Sequence, residues 1–125
     1  MVEIRDDLKY TETHEWVKVN DNIAVVGITD HAQSELTDIV YVELPEEGKE
    51  VKKGDELCVV ESVKSVSEVY APVSGKIVKV NKALEDTPET INKSPYDDGW
   101  LVEIEIKDKS ELENLLDAEG YKKII

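Results

Sequence analysis

Short apolar segments separated by turn-forming residues run along most of the chain. Residues 17–19 and 23–28 predict two strands, and the triplet Asn20-Asp21-Asn22 between them is typical of a hairpin turn. Further strands are predicted at residues 39–44, 56–63, 66–70, 76–80 and 100–106, with turns at 45–48, 52–55 and 72–75. This spacing of short strands favours a small barrel or sandwich.

Two short helices are predicted between the strands. The first covers residues 30–36, because Thr29 and Asp30 are both suitable N-cap residues ahead of a helical pattern. The second starts at residues 87–90, where a proline suits the first helical position. It should be short, since residues 92–95 contain asparagine and proline and interrupt it.

A C-terminal helix is predicted after the last strand. Ser110 and Glu113 have the spacing of a capping box, three leucines between residues 112 and 116 fall on one helical face, and Gly120 would end the helix. No linker or low-complexity tract divides the sequence, and its length fits one modest core. We therefore predict a single domain spanning residues 1–125.

The charge balance limits the possible partners. The chain carries 15 basic and 29 acidic residues, for a net charge of −14. Such a surface repels phosphate backbones and anionic lipids, which disfavours nucleic acid and membrane binding. It favours partners with basic patches, although a purely solubilising role for the charge is an equal alternative.

The cysteine and the two histidines of the sequence indicate no metal site. Cys58 is the one cysteine and lies in an apolar run, so we expect a buried thiol and a reducing compartment. His14 and His31 are the two histidines, and no cluster of ligands at metal spacing accompanies them. We expect no metal site, and for each histidine a hydrogen-bonding or packing role near the end of a helix or strand.

The amino-terminal residues lack targeting features. Residues 1–10 contain no signal-peptide apolar stretch and too many acids for a transit peptide, and no run approaches the length of a membrane span. We expect a cytoplasmic protein. A mitochondrial matrix protein whose transit peptide has been removed would look the same.

An approximate symmetry surrounds Lys64. Gly54 lies ten residues before it and Gly75 eleven residues after it, and each flank holds a strand-like segment. This pattern predicts a protruding hairpin with Lys64 at its tip. A tip lysine is accessible and points in a fixed direction, which suits a covalently tethered group. An ordinary surface lysine is the alternative, and spacing alone favours it.

Longer matches around this lysine resemble a known family. Glu61-Ser62-Val63-Lys64, followed by residues 70–75 (YAPVSG), closely resembles the glycine cleavage H-protein family. Further matches in order are residues 10–17 (YTETHEWV), 27–33 (GITDHAQ), 38–40 (DIV), Leu44-Pro45 with Gly48, Leu84, Pro88, Ile91-Asn92, residues 94–96 (SPY) and Gly99-Trp100. The resemblance extends from about Leu8 to about Leu116.

The resemblance implies a fold and a function. The family fold is mainly β: a barrel-sandwich hybrid of two small antiparallel sheets with short peripheral helices and a C-terminal helix. The implied protein is a carrier and not an enzyme, with lipoate attached to Lys64 by a lipoate ligase or lipoyl transferase and with Glu61, Ser62 and Val63 recognised around the lysine. It shuttles an aminomethyl group as a monomer.

Three partners are implied by the same resemblance. The arm would be loaded by the pyridoxal-phosphate-dependent glycine decarboxylase (P protein) and discharged by the tetrahydrofolate-dependent aminomethyltransferase (T protein). The flavin-dependent dihydrolipoyl dehydrogenase (L protein) would reoxidise it. The resemblance also implies a cleft that shelters the loaded arm, in which Thr13, Glu15 and Glu68 are candidates to hold the cationic amine. Ordinary surface solvation is the alternative for both glutamates.

Two positions depart from the family pattern. Thr37 stands where the family usually has glycine, so the turn after the first helix is expected to differ. Val66 stands where the family usually has a small or polar residue. Both departures concern local geometry and leave Lys64 itself unchanged.

Several other functions are alternatives to this one. The same fold serves in some family members as a relay that passes lipoyl groups to 2-oxo acid dehydrogenases, and an unmodified interaction module is a further alternative. A biotin carrier is disfavoured because Val63 and Ser65 flank Lys64 where methionines are usual. An enzyme has the least support, since the sequence contains no nucleophile–base arrangement and no phosphate loop.

Overall fold

Two antiparallel sheets form the body of the protein in the computed structural model, which describes residues 2–125. The strands are β1 Lys9–Tyr10, β2 Glu15–Asn20, β3 Ile23–Ile28, β4 Ile39–Glu43, β5 Glu50–Val51, β6 Glu56–Ser62, β7 Val66–Tyr70, β8 Gly75–Val80 and β9 Val102–Ile106. One sheet has the order β1-β2-β3-β9-β8-β5 and the other has the order β4-β6-β7. The predicted mainly β fold with two small antiparallel sheets is confirmed.

Short helices connect and flank the strands. They are α1 Asp30–Leu36, α2 Ala83–Asp86, α3 Thr90–Lys93, a 3₁₀ helix Lys109–Asn114 and α4 Ala118–Lys122. The hydroxyl of Thr29 caps α1 by accepting a hydrogen bond from the backbone N–H of Ala32, so Thr29 is the N-cap. No helix within residues 2–125 is long and apolar enough to cross a bilayer.

The main core lies between the inner faces of the two sheets. Val26, Ile77 and Ile104 from the larger sheet and Val42 and Val60 from the smaller one are at most 1% exposed. Alternate residues on these strands face inward, which produces the period-two pattern seen in the sequence. A second cluster is aromatic and contains Leu8, Tyr10, Trp16, Tyr96, Ala118 and Tyr121.

The C-terminal segment differs from the predicted single helix. Asp108, and not Ser110, caps the 3₁₀ helix by accepting a hydrogen bond from the Ser110 N–H. Leu116 is then paired with Tyr10 of β1 through two backbone hydrogen bonds of 2.8 Å each. The prediction that Gly120 ends a helix is wrong, because Gly120 lies inside α4, which begins after the cap residue Asp117. The break between the 3₁₀ helix and α4 therefore gives β1 a second hydrogen-bonding partner besides β2.

Other differences concern very short elements and element ends. Strands β1 and β5 and helix α2 were not predicted, and each has only two to four residues. Helix α3 starts at Thr90, two residues after Pro88. Of the two tryptophans, Trp16 is 1% exposed as expected for a core residue, while Trp100 is only partly buried.

Candidate functional site

Lys64 lies at the apex of the hairpin formed by β6 and β7. The two strands pair antiparallel, with Val60 opposite Ser67 and Glu61 opposite Val66. A three-residue turn, Val63 to Ser65, joins them, and Lys64 is its exposed central residue. The predicted position of Lys64 at a hairpin tip is therefore confirmed.

The side chain of Ser62 anchors this turn. Its hydroxyl oxygen accepts hydrogen bonds from the N–H groups of Lys64 at 3.3 Å and Ser65 at 3.1 Å. The Ser62 N–H donates to the Ser65 carbonyl oxygen at 2.8 Å, and the Val63 N–H donates to the Asp38 carbonyl oxygen at 3.0 Å. These bonds fix the backbone of the tip and leave the Lys64 side chain free.

A cleft of about 170 Å³ lies beside β7. It is bounded by the start of β2, by α1 and by β7, and its lining is Thr13, His14, Glu15, Ile28, His31, Ala32, Glu35, Leu36, Val60, Ser67, Glu68 and Val69. Thr13, Glu15 and Glu68, which the family resemblance implied, all line this one cleft. Glu68 lies four residues after Lys64, or about 13 Å along an extended strand.

Glu15 is the most buried polar group in the cleft. It is 1% exposed, and its carboxylate accepts hydrogen bonds from the hydroxyls of Thr11 and Thr13, each at 2.5 Å, and from the N–H of Tyr70 at 3.2 Å. Burial raises the pKa of Glu15, and these hydrogen bonds partly oppose the rise. Within the described part of the chain, no lysine, arginine or histidine forms an ion pair with it.

Both histidines also line the cleft, which sequence reasoning missed. The His14 and His31 ring centroids lie 4.8 Å apart, and Nδ1 of His14 lies 2.8 Å from the Tyr121 hydroxyl. The same hydroxyl lies 2.7 Å from Oγ1 of Thr29. Burial lowers the pKa of His14, and neighbouring His31 lowers it further. The expected hydrogen-bonding role is confirmed for His14. The two rings approach each other because the residue before β2 lies beside α1, which no local pattern reveals.

The remaining polar candidates show no catalytic arrangement. Cys58 is 4% exposed, and burial raises the pKa of its thiol, so the thiolate form is disfavoured. No group of three or more histidine, cysteine or acidic side chains among residues 2–125 is placed to hold a metal ion.

The two departures from the family pattern have different consequences. Thr37 has φ 65° and ψ −140°, so a threonine adopts a positive φ at a position where the family usually has glycine. The expected difference between this turn and the family pattern stays a prediction. Val66 is 60% exposed and lies next to the tip of the hairpin.

Together these features define a class of protein: a small two-sheet β domain that displays one lysine on an anchored turn beside a polar cleft. The model of the family described as glycine cleavage H-protein matches residues 8–125. Two glycine cleavage system H proteins from strains of Staphylococcus epidermidis are 57% and 56% identical to this chain over 122 residues, covering 98% of it and 97% of each relative.

A solved structure agrees with the sequence relatives. The crystal structure of a glycine cleavage system H protein from Mycobacterium marinum superposes with a TM-score of 0.89 at 40% identity, covering 96% of this chain and 97% of the other. The chain therefore belongs to the glycine cleavage H-protein family.

Proposed function

We propose that this chain is the lipoyl-carrying H protein of a glycine cleavage system, with lipoate attached to Lys64 and residues 1–125 forming one monomeric carrier domain. The observation that carries the proposal is the exposed Lys64 at the apex of an anchored hairpin in a member of this family. The proposed partners are the glycine decarboxylase P protein, the aminomethyltransferase T protein and the dihydrolipoyl dehydrogenase L protein. The protein itself acts as a carrier and not as an enzyme.

The proposed attachment reaction needs an accessible amine on a rigid support. A lipoate ligase or lipoyl transferase would present an activated lipoyl acyl group, and the Lys64 amine would attack its carbonyl carbon. The C–N bond forms, the bond to the leaving group breaks, and the amine gives up a proton. Glu61, Ser62 and Val63 are proposed to position the turn for the acylating enzyme. Ser62 fixes the turn through its hydroxyl, and the Val63 N–H donates a hydrogen bond to the Asp38 carbonyl oxygen.

The residues present fit a lipoyl arm. Ser67 and Glu68 connect the hairpin directly to the cleft, so an arm on Lys64 can lie along β7 towards it. When attached, the dithiolane would supply the redox chemistry, because its S–S bond can take up the methylamine unit that remains when glycine loses CO2, as an aminomethyl group on one sulfur and a hydrogen on the other. The chain supplies the tether and the shelter for that group.

Thr13, Glu15 and Glu68 are proposed to hold the cationic amine. The buried Glu15 carboxylate accepts hydrogen bonds from neutral donors, and an ammonium group would add a charge-assisted bond that is stronger than these. Ile28 and Val60 form apolar walls that limit water access. Placing the amine in this cleft therefore protects the aminomethyl group from hydrolysis.

We also propose the cytoplasm as the compartment. The two relatives from Staphylococcus epidermidis are bacterial. The buried, unpaired Cys58 suits a reducing environment, because it needs no disulfide partner.

A glycine-dependent mass change tests the function. The lipoylated protein is incubated with purified P protein, pyridoxal phosphate and glycine, and its intact mass is measured. We expect a gain of one methylamine unit, and none for the unlipoylated protein. A lipoylated protein that gains nothing from glycine, but passes its lipoyl group to a 2-oxo acid dehydrogenase domain in the presence of a lipoyl transferase, would establish the relay function instead.

A further inference from the structure

Exposed apolar side chains concentrate around the tip of the hairpin. Of the eight large hydrophobic residues that are exposed within residues 2–125, four lie here: Val40 at 53%, Tyr41 at 48%, Val63 at 67% and Val66 at 60%. The other four lie at residues 19, 78, 124 and 125. Clustered exposed apolar residues mark interaction sites more often than scattered ones do.

Strand register places two of these residues, Tyr41 and Val66, in one row. Tyr41 lies opposite Glu61, and Glu61 lies opposite Val66, so the three side chains form a row on the outer face of the smaller sheet. We call Val40, Tyr41, Glu61, Val63 and Val66 the tip face. The row is the nearest one to the turn that carries Lys64.

An irregularity in β4 creates part of the tip face. The register shifts between Ile39 and Tyr41, and Val40 and Tyr41 are therefore both exposed although they are consecutive. Ile39 pairs with Ser62 at the base of the turn. The shift therefore brings two apolar side chains to the surface directly beside the tip.

The sheet that carries the tip face is uniformly acidic. Strands β4, β6 and β7 contain no lysine or arginine, whereas β1, β2 and β8 of the larger sheet contain lysine. The next row of the outer face continues this character, since Glu43, Val59 and Glu68 lie opposite one another. The surface is thus an apolar patch with a carboxylate rim.

We propose that the tip face is the docking site of the enzyme that acylates Lys64, and that this enzyme presents apolar pockets for Tyr41 and Val66 surrounded by arginine or lysine. The inference rests on the proposed function. An acylating enzyme must approach within the length of one lysine side chain of the turn, so it must cover the residues beside the turn. An aromatic anchor with an apolar neighbour supplies affinity, and the carboxylate rim selects a basic partner.

Matched serine variants test the apolar part of the proposal. Apo-protein is incubated with purified lipoate ligase, lipoate and ATP, and initial rates of the mass gain are measured. Tyr41→Ser should lower kcat/KM about tenfold and Val66→Ser about threefold, mainly through KM, because both lose apolar contact area. Val19→Ser and Val78→Ser remove exposed valines from the larger sheet, and their rates should stay within about twofold of the parent.

Charge reversal tests the rim. Glu43→Lys and Glu105→Lys each replace an exposed strand glutamate and change the net charge equally, but they lie on different sheets. Glu43→Lys should raise KM about fivefold, whereas Glu105→Lys should leave it unchanged. Because these residues are exposed, circular dichroism should show folded protein for every variant.

The outcomes separate the docking surface from the carrier function. If the parent is acylated on Lys64 and the Tyr41→Ser and Val66→Ser proteins are acylated at the same rate as the parent, the tip face is not the docking site. If Glu43→Lys and Glu105→Lys raise KM equally, the acylating enzyme responds only to the net charge of the chain, and the rim does not select it. Parent protein that is never acylated would overturn the proposed function itself.

Discussion

Glu15 is a buried carboxyl group in the cleft that is proposed to hold the amine. Its carboxyl group is buried, and burial raises its pKa. The folded protein therefore holds this proton more tightly than the unfolded chain does. As the pH rises above the usual range for glutamate, ionisation of Glu15 lowers the free energy of unfolding. A cationic amine beside it would offset that cost, so loading the cleft should stabilise the fold.

Replacing Glu15 with glutamine separates these effects. As the pH rises from the usual range for glutamate to neutrality, Glu15→Gln should show a smaller decrease in the free energy of unfolding than the parent, because the titrating group is gone. The loaded arm should lose its aminomethyl group about tenfold faster, since a charge-assisted hydrogen bond contributes about 1.5–3 kcal/mol. Urea unfolding and a mass-spectrometric time course measure the two effects.

An exposed glutamate serves as the control for Glu15. Glu105→Gln on β9 should change neither the pH dependence nor the lifetime of the loaded arm. A Glu15→Gln protein that keeps its aminomethyl group as long as the parent would contradict the assigned role of the cleft.

Thr37 is a second residue whose effect can be isolated. Its φ of 65° is in the region that L side chains rarely adopt. Thr37→Gly should raise the free energy of unfolding by about 1 kcal/mol, because relief of backbone strain exceeds the greater flexibility of glycine in the unfolded chain. Thr37→Ala keeps the Cβ atom and should bring no such gain. If urea unfolding shows Thr37→Gly to be less stable than the parent, the positive φ of Thr37 does not strain the backbone.

At the scale of elements, α4 supports the wall of the cleft. Tyr121 of α4 is fully buried, stacks on Tyr10 of β1 with ring centroids 4.6 Å apart, and contacts His14 and Thr29 through its hydroxyl. The C-terminal helix thus joins β1, the start of β2 and the cap of α1. An element distant in sequence from Lys64 therefore helps to shape the cleft.

Removal of one hydroxyl group tests this support. Tyr121→Phe should lower the free energy of unfolding by about 1–2 kcal/mol, because the buried Thr29 hydroxyl and the partly buried His14 ring lose a hydrogen-bonding partner. Tyr41→Phe removes an exposed hydroxyl and should change stability by less than about 0.5 kcal/mol. Equal stability of the two variants in urea would show that the Tyr121 contacts contribute nothing.

The same scale explains which features could be predicted from sequence. The Lys64 hairpin depends on local signals, because alternating strands and nearby glycine turns lie within some twenty residues. The hydrogen bond between Glu15 and the Tyr70 N–H joins residues 55 positions apart, so only the family resemblance pointed to the cleft. The C-terminal helix itself is confirmed as α4, but its extent was mispredicted because Leu116 pairs with β1, a tertiary contact that overrides the helical spacing of the leucines.

In the whole molecule, the two sheets differ in their number of strands, in their charge and in which of them carries the hairpin tip. The larger sheet contributes most of the strands and carries lysines as well as acids, whereas the smaller sheet carries the tip of the hairpin and only acidic charges. The chain has a net charge of −14, and the acidic strands of the smaller sheet favour the encounter of basic partners with the proposed reactive end. A carrier that meets several enzymes in turn benefits from one such end.

Covalent loading of Lys64 is the central claim, and intact-protein mass spectrometry after coexpression with a lipoate ligase tests it most directly. We predict a gain of one lipoyl group in the parent, the same gain in Lys53→Arg, which alters another exposed turn lysine, and no gain in Lys64→Arg. Peptide mapping should place the adduct on residue 64. An unmodified parent, or a Lys64→Arg protein that still gains the lipoyl mass, would contradict the account.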